Sequence, residues 1–183
     1  MVTLQYILKK RNIGAMLIPF QTVMEVAQSC PDMAFVHSID HSLREVKIPP
    51  NIFFIYMGGS LENYFSAILA SDAVISSDSS AYHVAGAFRK PAVALFGPVN
   101  SALRTLYCKS VFPIDAGYVG SICSSPCGLN AVTELNPPNP NAEAKVYDKC
   151  PEAESKGTRY SPCLLSITPS QITKALHKVL NAS

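Results

Sequence analysis

The residues of this sequence that are best suited to chemistry form one polar cluster, Ser77-Asp78-Ser79-Ser80, with His83 close behind it. Hydroxyl groups and an imidazole nitrogen can donate hydrogen bonds to an anion. The cluster lies between a short apolar run and an amphipathic segment, an order typical of a strand that leads into a helix. The first turn of such a helix adds unpaired backbone N–H groups, so the sequence predicts a site for phosphate oxygens.

The residues of this cluster are expected to have different roles. An anionic Asp78 aimed at a phosphate would repel it, so we assign Asp78 to orienting the turn, and the serines and His83 to the ligand. Asp78 or Ser79 can also cap the helix. The alternative is a capped strand–helix turn with no ligand and a solvent-facing histidine, because Ser and Asp are ordinary N-cap residues in any α/β protein.

Apolar spacing predicts the elements that position the cluster. Short β-branched runs at 73–75 and 92–96 indicate buried parallel strands. Two helices are predicted from stripes at helical spacing: Leu61, Phe65, Ile68 and Leu69 with Ser60 as N-cap, and Ala81, Val84, Ala85 and Phe88. We expect the first stripe to face the core. Two glycine turns, Gly58-Gly59 and Phe96-Gly97-Pro98, follow predicted strands and are further candidates for backbone contact with a ligand.

The remaining periodicity extends the same alternation of strand and helix. It predicts a short helix around Leu4, Ile7 and Leu8, strands at 14–18, 33–37, 52–56 and 111–114, and a helix with a capping box at Thr22 and Glu25. The last helix, at about 169–181, has Thr168 as N-cap, Pro169 at its first position and Gln171 completing a capping box. These elements predict a single α/β domain over 1–183, a Rossmann-like parallel sheet with helices on both faces.

A long Cys- and Pro-rich loop at 116–162 is predicted to be irregular. It contains Cys123, Cys127 and Cys150, and Cys163 follows it directly. Two disulfides, free thiols and a tetrahedral zinc site are all open, with zinc disfavoured because its ligands usually come in two close pairs. His37, Asp40 and His41 fix no metal geometry, and we expect them on the surface. No metal site is predicted.

Composition excludes several classes of function. The net charge of +2 is too small to indicate a nucleic-acid partner, and 48% hydrophobic with 15% charged residues indicates a folded chain. The sequence contains no apolar run long enough to span a bilayer and no secretory signal pattern. We therefore expect a cytoplasmic protein, with peripheral association with a membrane left open.

The series 71–87, followed by Lys90 to Pro98, resembles the nucleotide-sugar-binding half of the family 9 glycosyltransferases, the heptosyltransferase-like enzymes. That family has an Asp-Ser/Thr-Gly-x-x-His turn facing the donor diphosphate and a Phe-Gly-Pro turn after the next strand. Asp78, Ser79 and His83 match this pattern, whereas Ser80 replaces the glycine of the family. The resemblance is good over about 57–100, loose over 120–180 and slight over the first fifty residues.

The resemblance implies the carboxy-terminal lobe of a GT-B-type enzyme that transfers a sugar from a nucleotide diphosphate with inversion. The nucleotide sugar would be a substrate, with no cofactor and no catalytic metal. The acceptor lobe and its catalytic carboxylate would lie in an amino-terminal half that this sequence does not match, so no catalytic residue is assigned and a second chain could be needed. The alternative is a non-catalytic structural or binding module that could be part of a larger assembly; the Ser80 replacement and the divergent first fifty residues favour it.

Overall fold

The computed structural model describes residues 2–4, 18–38, 47–55, 60–128, 150–158 and 160–182. Its strands are β1 (Val2–Leu4), β2 (Phe35–Ser38), β3 (Ile52–Ile55), β4 (Ala73–Ser77), β5 (Ala92–Phe96) and β6 (Val111–Asp115). Its helices are α1 (Phe20–Ser29), α2 (Leu61–Ala70), α3 (Ser80–Ala87), α4 (Ala102–Thr105), α5 (Pro151–Ser155), α6 (Pro162–Leu165) and α7 (Pro169–Asn181).

The strands form one parallel sheet in the order β3-β2-β1-β4-β5-β6. The chain moves outward in one direction from β1 and in the other direction from β4, and these two strands pair directly, from Val2 with Ala73 to Leu4 with Ile75. Their boundary is the topological switch point at which ligands bind in open parallel sheets. The predicted α/β fold with a parallel sheet is confirmed.

Both faces of the sheet are covered, and β4 and β5 are buried throughout. In β5, Val93 and Leu95 face the core that α1 and α7 cover, whereas Ala94 and Phe96 face the smaller core beneath α3. This alternation follows from the two-residue period of a strand. The helices on both faces are as predicted, and the turn that follows β4 is therefore held by strands that are packed on each side.

The amino-terminal elements differ from the predictions. Leu4 ends β1 instead of lying in a helix, and Ile18 is in no strand; Ile7, Leu8 and 14–17 lie outside the described residues. Helix α1 begins at Phe20 after Pro19, two residues before the predicted N-cap Thr22, which is buried within the helix. The capping box at Thr22 was therefore wrong, because Pro19 fixes an extended backbone before the helix and Phe20 packs on the aromatic ring of Phe54.

The stripe of α2 is less buried than predicted. In α2, Ile68 is fully buried, but Leu61 is 70% exposed and Phe65 and Leu69 are each 38% exposed. The reason is that α2 lies mainly against α3 and not across the sheet, so a single ridge of α2 is covered. Phe88 is 55% exposed because α3 ends at Ala87, before that side chain can turn inward.

His37 was predicted on the surface and is fully buried. It lies in β2, between β1 and β3, where alternate side chains must face the core. Its ring packs between those of Phe20 and Phe54, with centroid distances of 5.6 and 5.7 Å. His37 is a core residue of the β2 strand, and its predicted companions Asp40 and His41 lie outside the described residues.

The carboxy-terminal helix α7 has the predicted bounds and the predicted capping box, in which Thr168 Oγ1 accepts from the Gln171 N–H and Gln171 Oε1 accepts from the Thr168 N–H. The loop predicted over 116–162 contains a short helix, α5, and the start of another, α6, so it is less irregular than expected; 129–149 lie outside the described residues. None of the helices in the described ranges has the length and apolar character needed to cross a membrane.

A buried carboxylate organises this loop. Glu152 at the start of α5 accepts hydrogen bonds from the Ile122 and Cys123 N–H groups at 2.8 and 3.1 Å, and from the Tyr118 hydroxyl at 3.0 Å. Lys156 Nζ lies 3.0 Å from the same carboxylate. The Lys156 hydrogen bond, supported by those from the backbone, lowers the pKa of Glu152 from 4.5 to about 2. The Glu152 carboxylate therefore connects segment 118–123 to α5 through hydrogen bonds.

We expect Glu152→Gln to lower the melting temperature by several degrees. Glutamine lacks the charge that pairs with Lys156, and it has one acceptor oxygen where glutamate has two. The ionised carboxylate stabilises the fold fully above pH 4.5, and this stabilisation is lost as pH falls toward 2. The gap in melting temperature between wild type and variant should therefore narrow over that range. Glu154→Gln, in the same helix but exposed, is the control. A gap that is constant with pH would contradict this role.

Candidate functional site

The Ser77–Ser80 turn connects β4 to α3 at the carboxyl edge of the sheet. Strand β4 lies between β1 and β5, so the turn is beside the switch point. Ser79 has an extended backbone, with φ −154° and ψ 176°, and is the N-cap of α3. The first turn of α3 therefore directs its backbone N–H groups toward this edge, where a ligand can reach them.

The serines of the turn are linked to one another. Ser76 Oγ donates to the Ser77 carbonyl oxygen at 2.8 Å and lies 2.8 Å from Ser79 Oγ. Ser79 occupies the predicted N-cap position, but its side chain makes no capping hydrogen bond with α3, because its hydroxyl contacts Ser76 at the end of the strand. The N–H groups at the start of α3 are consequently not occupied by the Ser79 side chain.

Asp78 is held at a fixed orientation by two side chains. It is 9% exposed, its Oδ1 accepts from the Tyr82 hydroxyl at 3.2 Å, and its Oδ2 lies 3.6 Å from Arg104 Nε. Burial, followed by the charge of Asp78, raises the pKa of Tyr82, which keeps that hydroxyl a donor. These contacts fit the predicted role of Asp78 in orienting the turn, since both oxygens face protein groups.

His83 lies one turn into α3, and its side chain is exposed. Its ring lies over that of Tyr82, with centroids 4.0 Å apart and planes inclined by 33°. The imidazole is therefore on the solvent side of α3 and supported by an aromatic ring. The imidazole is thus exposed to solvent within the first turns of α3.

Gly97 follows β5 and is buried against α6. A Cβ atom at this position would lie 2.5 Å from Cys163 Sγ and 3.4 Å from side-chain atoms of Leu164. The packing of α6 against the turn thus accounts for the glycine without a ligand. Gly58 and Gly59, the other predicted glycine turn, lie outside the described residues.

Residues 57–117, about one third of the chain, match the family model of glycosyltransferase family 9 (heptosyltransferase). The resemblance to this family is confirmed. The matched segment contains the turn, α3 and the Phe96-Gly97-Pro98 sequence. No curated protein matches the sequence significantly.

Two solved structures share the fold over the whole chain. One is the ADP-heptose LPS heptosyltransferase II of E. coli, with a TM-score of 0.63 and 16% identity, and the other is a family 9 glycosyltransferase of Veillonella parvula, with a TM-score of 0.57 and 15% identity. The alignments cover 100% of this chain and 46% of each of those chains. This chain therefore has the family 9 fold and spans about half the length of the structures that it matches.

Ser80 stands where family 9 has glycine, and its side chain faces away from the turn. Its hydroxyl lies 3.0 Å from the Tyr64 hydroxyl of α2. Burial raises the pKa of Tyr64, so both groups remain neutral hydroxyls able to share one hydrogen bond. The additional side chain is thus held by α2 instead of lying across the amino end of α3.

Three residues of this neighbourhood were not predicted from the sequence: Tyr64, Tyr82 and Arg104. The spacing of Tyr82 four residues after Asp78 is a signal that could have indicated their contact, because such residues share one side of a helix. Tyr64 and Arg104 come from α2 and α4, and only the packing of these elements on the turn brings them to it. No local pattern marks either of them.

Four of the cysteines belong to the loop or follow it directly, and they form no bonds to one another. The six cysteines are free thiols. Burial, followed by the nearby sulfurs of Cys127 and Cys150, raises the pKa of Cys123, so the Cys123 side chain lies close to those two. Within the described ranges, no three His, Cys, Asp or Glu side chains are arranged to hold a metal ion.

Gly97→Ala tests whether packing or a ligand requires this glycine. We expect a loss of about 1–3 kcal/mol in the free energy of unfolding, because the new methyl group overlaps Cys163 Sγ. Adding Cys163→Ala should recover most of this loss, which chemical denaturation of the two single variants and the double variant would measure. Additive losses would show that the sulfur is not the obstacle.

Proposed function

We propose that this chain is the donor-binding lobe of an inverting glycosyltransferase that uses a nucleotide-diphosphate sugar. The observation that carries the proposal is the Ser77–Ser80 turn at the carboxyl end of β4, beside the switch point and inside the segment that matches family 9. Ligands of open parallel sheets bind at this place. The exposed imidazole of His83 and the amino end of α3 add donors of the kind that diphosphate oxygens accept.

In this proposal the diphosphate of the donor lies at the amino end of α3. Backbone N–H groups of the first turn would donate to its oxygens, and His83 would donate from one turn further along. The hydroxyl of Ser79 would join them by turning toward the ligand from Ser76 Oγ, which lies 2.8 Å away. Such fixed donors stabilise the charge that develops on the departing diphosphate as the sugar bond breaks. The nucleotide sugar is then a substrate, and the chemistry requires no metal.

Turnover needs a second lobe. Transfer requires an acceptor hydroxyl and a base held in register with the donor, and water kept out from between them. This chain spans about half the length of the structures that it matches. We propose that a separate acceptor-binding lobe or a partner chain supplies these groups, so that the segment given by this sequence binds the donor without transferring its sugar.

A second candidate is a binding or structural module that keeps the fold without catalysis. The observation in its favour is Ser80, which gives the turn a side chain where the family pattern has none. Such a module would bind no nucleotide diphosphate, and this is what separates the two proposals.

Calorimetric titration of the chain with nucleoside diphosphates and their sugar conjugates tests the donor site. We expect His83→Ala and Ser79→Ala each to weaken binding by about tenfold, since each removes a hydrogen bond to a charged group. Thermal unfolding should change little, because His83 is exposed and Ser79 is half-buried. His177→Ala, an exposed histidine of α7, is the matched control and should bind as wild type does.

Two results would overturn the proposal. Saturable binding that ignores both substitutions would place the nucleotide elsewhere, and the absence of any binding would favour the structural module. Binding without sugar transfer is the expected result for the isolated chain.

Ser80→Gly restores the residue of the family pattern. Because the Ser80 hydroxyl is directed toward Tyr64, we expect the affinity for nucleoside diphosphates to change little. A large gain in affinity, measured in the same titration, would show that the serine obstructs the diphosphate. Tyr64→Phe removes the partner of this hydroxyl and is the companion variant: it should free the Ser80 side chain and weaken binding more than Ser80→Gly does.

A further inference from the structure

Arg104 comes from a different element than the rest of the candidate site, yet it reaches the Ser77–Ser80 turn. It belongs to α4, which follows β5 at the carboxyl edge of the sheet. The turn before α4 is fastened to the end of β6, where Asp115 accepts from the Ser101 N–H at 2.9 Å and from the Ser101 hydroxyl at 2.5 Å. Arg104 is therefore held at the edge of the sheet where the donor would bind.

The guanidinium group of Arg104 approaches Asp78 through a single nitrogen. Its Nε lies 3.6 Å from Asp78 Oδ2, while the other carboxylate oxygen accepts from Tyr82. The Arg104 side chain is 40% exposed, whereas that of Asp78 is 10% exposed. Because a guanidinium has five N–H donors and approaches Asp78 through Nε, its terminal nitrogens can reach an anion on the solvent side.

The site also needs a positive charge. Without Arg104, the carboxylate of Asp78 would stand uncompensated beside a diphosphate and repel it. The described basic residues Arg89, Lys90 and Lys109 follow the carboxyl ends of α3 and α4, at the opposite edge of the sheet. Within the described ranges, Arg104 is the basic residue that pairs with a member of the turn.

We propose that Arg104 binds the diphosphate of the donor and that Asp78 is the residue that positions it. The inference rests on the proposed function and adds to it the residue that distinguishes a diphosphate from a monophosphate. A diphosphate can place one phosphate at the amino end of α3 and the other at the guanidinium, whose planar fork binds two of its oxygens, whereas a monophosphate can occupy only one of these positions. Asp78 then has an electrostatic role as well, since it keeps the arginine at the edge before the ligand arrives.

The test is calorimetric titration of the chain with ADP, UDP, GDP and CDP and with the corresponding monophosphates. For whichever base binds, Arg104→Gln should weaken diphosphate binding about 10- to 100-fold and monophosphate binding much less. Arg104→Lys should recover part of the loss, because it restores the charge but not the fork. Arg89→Gln, an exposed arginine at the far end of α3, is the matched control and should bind as wild type does.

The double variant Asp78→Asn with Arg104→Gln separates contact from simple neutralisation. It should remain weak, because removing the carboxylate does not replace the lost donor; recovery of wild-type affinity would overturn the proposal. Equal loss for diphosphate and monophosphate, or a lowered melting temperature that accounts for the loss, would also overturn it. If wild type binds in a His83-dependent way and Arg104→Gln binds equally well, only this inference fails. If wild type binds none of the four diphosphates, the proposed function fails first.

Discussion

The parallel direction of the strands is the constraint on which the candidate site depends. In a parallel sheet every strand ends at the same edge, so the turns after β4 and β5 must lie side by side. Residues distant in sequence are thereby brought together: Asp78 comes from one turn and Arg104 from the helix after the next strand. Both strands are buried on each face, which fixes their register and hence the distance between the two turns. The ion pair is a consequence of the sheet and not of any local motif.

A second constraint is that buried polar groups need hydrogen-bond partners, and near this edge Ser76 and Asp78 find theirs in neighbours that also set the geometry of the turn. Ser76 is fully buried; its hydroxyl donates to the Ser77 carbonyl oxygen and lies 2.8 Å from Ser79 Oγ, which keeps the Ser79 side chain away from α3. Leaving such a hydroxyl without a partner in the core would cost about 1–3 kcal/mol. The same requirement acts in the loop, where Glu152 is buried and collects the donors of segment 118–123. The hydrogen bonds that buried groups such as Ser76 require therefore determine which backbone N–H groups at the start of α3 can bind a ligand.

The features that could be predicted from the sequence are those set by interactions between residues close together in the chain. Strand β5 and helix α7 were predicted with their observed bounds, because a short apolar run and a capping box are local signals. The stripe of α2 and the burial of His37 were misjudged, since burial depends on which element covers a face, and spacing alone does not specify that. In the site, the turn and the exposure of His83 were predictable from the strand–helix order. Arg104 and Tyr64 were not, because their contacts form only through packing.

The replacement of glycine by Ser80 shows how packing can decide the meaning of a departure from a family pattern. In isolation, a side chain at a position of close backbone approach indicates an obstructed site. Here the neighbouring helix supplies Tyr64 at hydrogen-bond distance, and α2 is half-exposed at that ridge, so the serine side chain has a partner outside the turn. Gly97 is the converse case: it matches the pattern, yet Cys163 and Leu164 already require it. Agreement with a motif and departure from it are therefore both weaker evidence about a ligand than the contacts that each side chain makes.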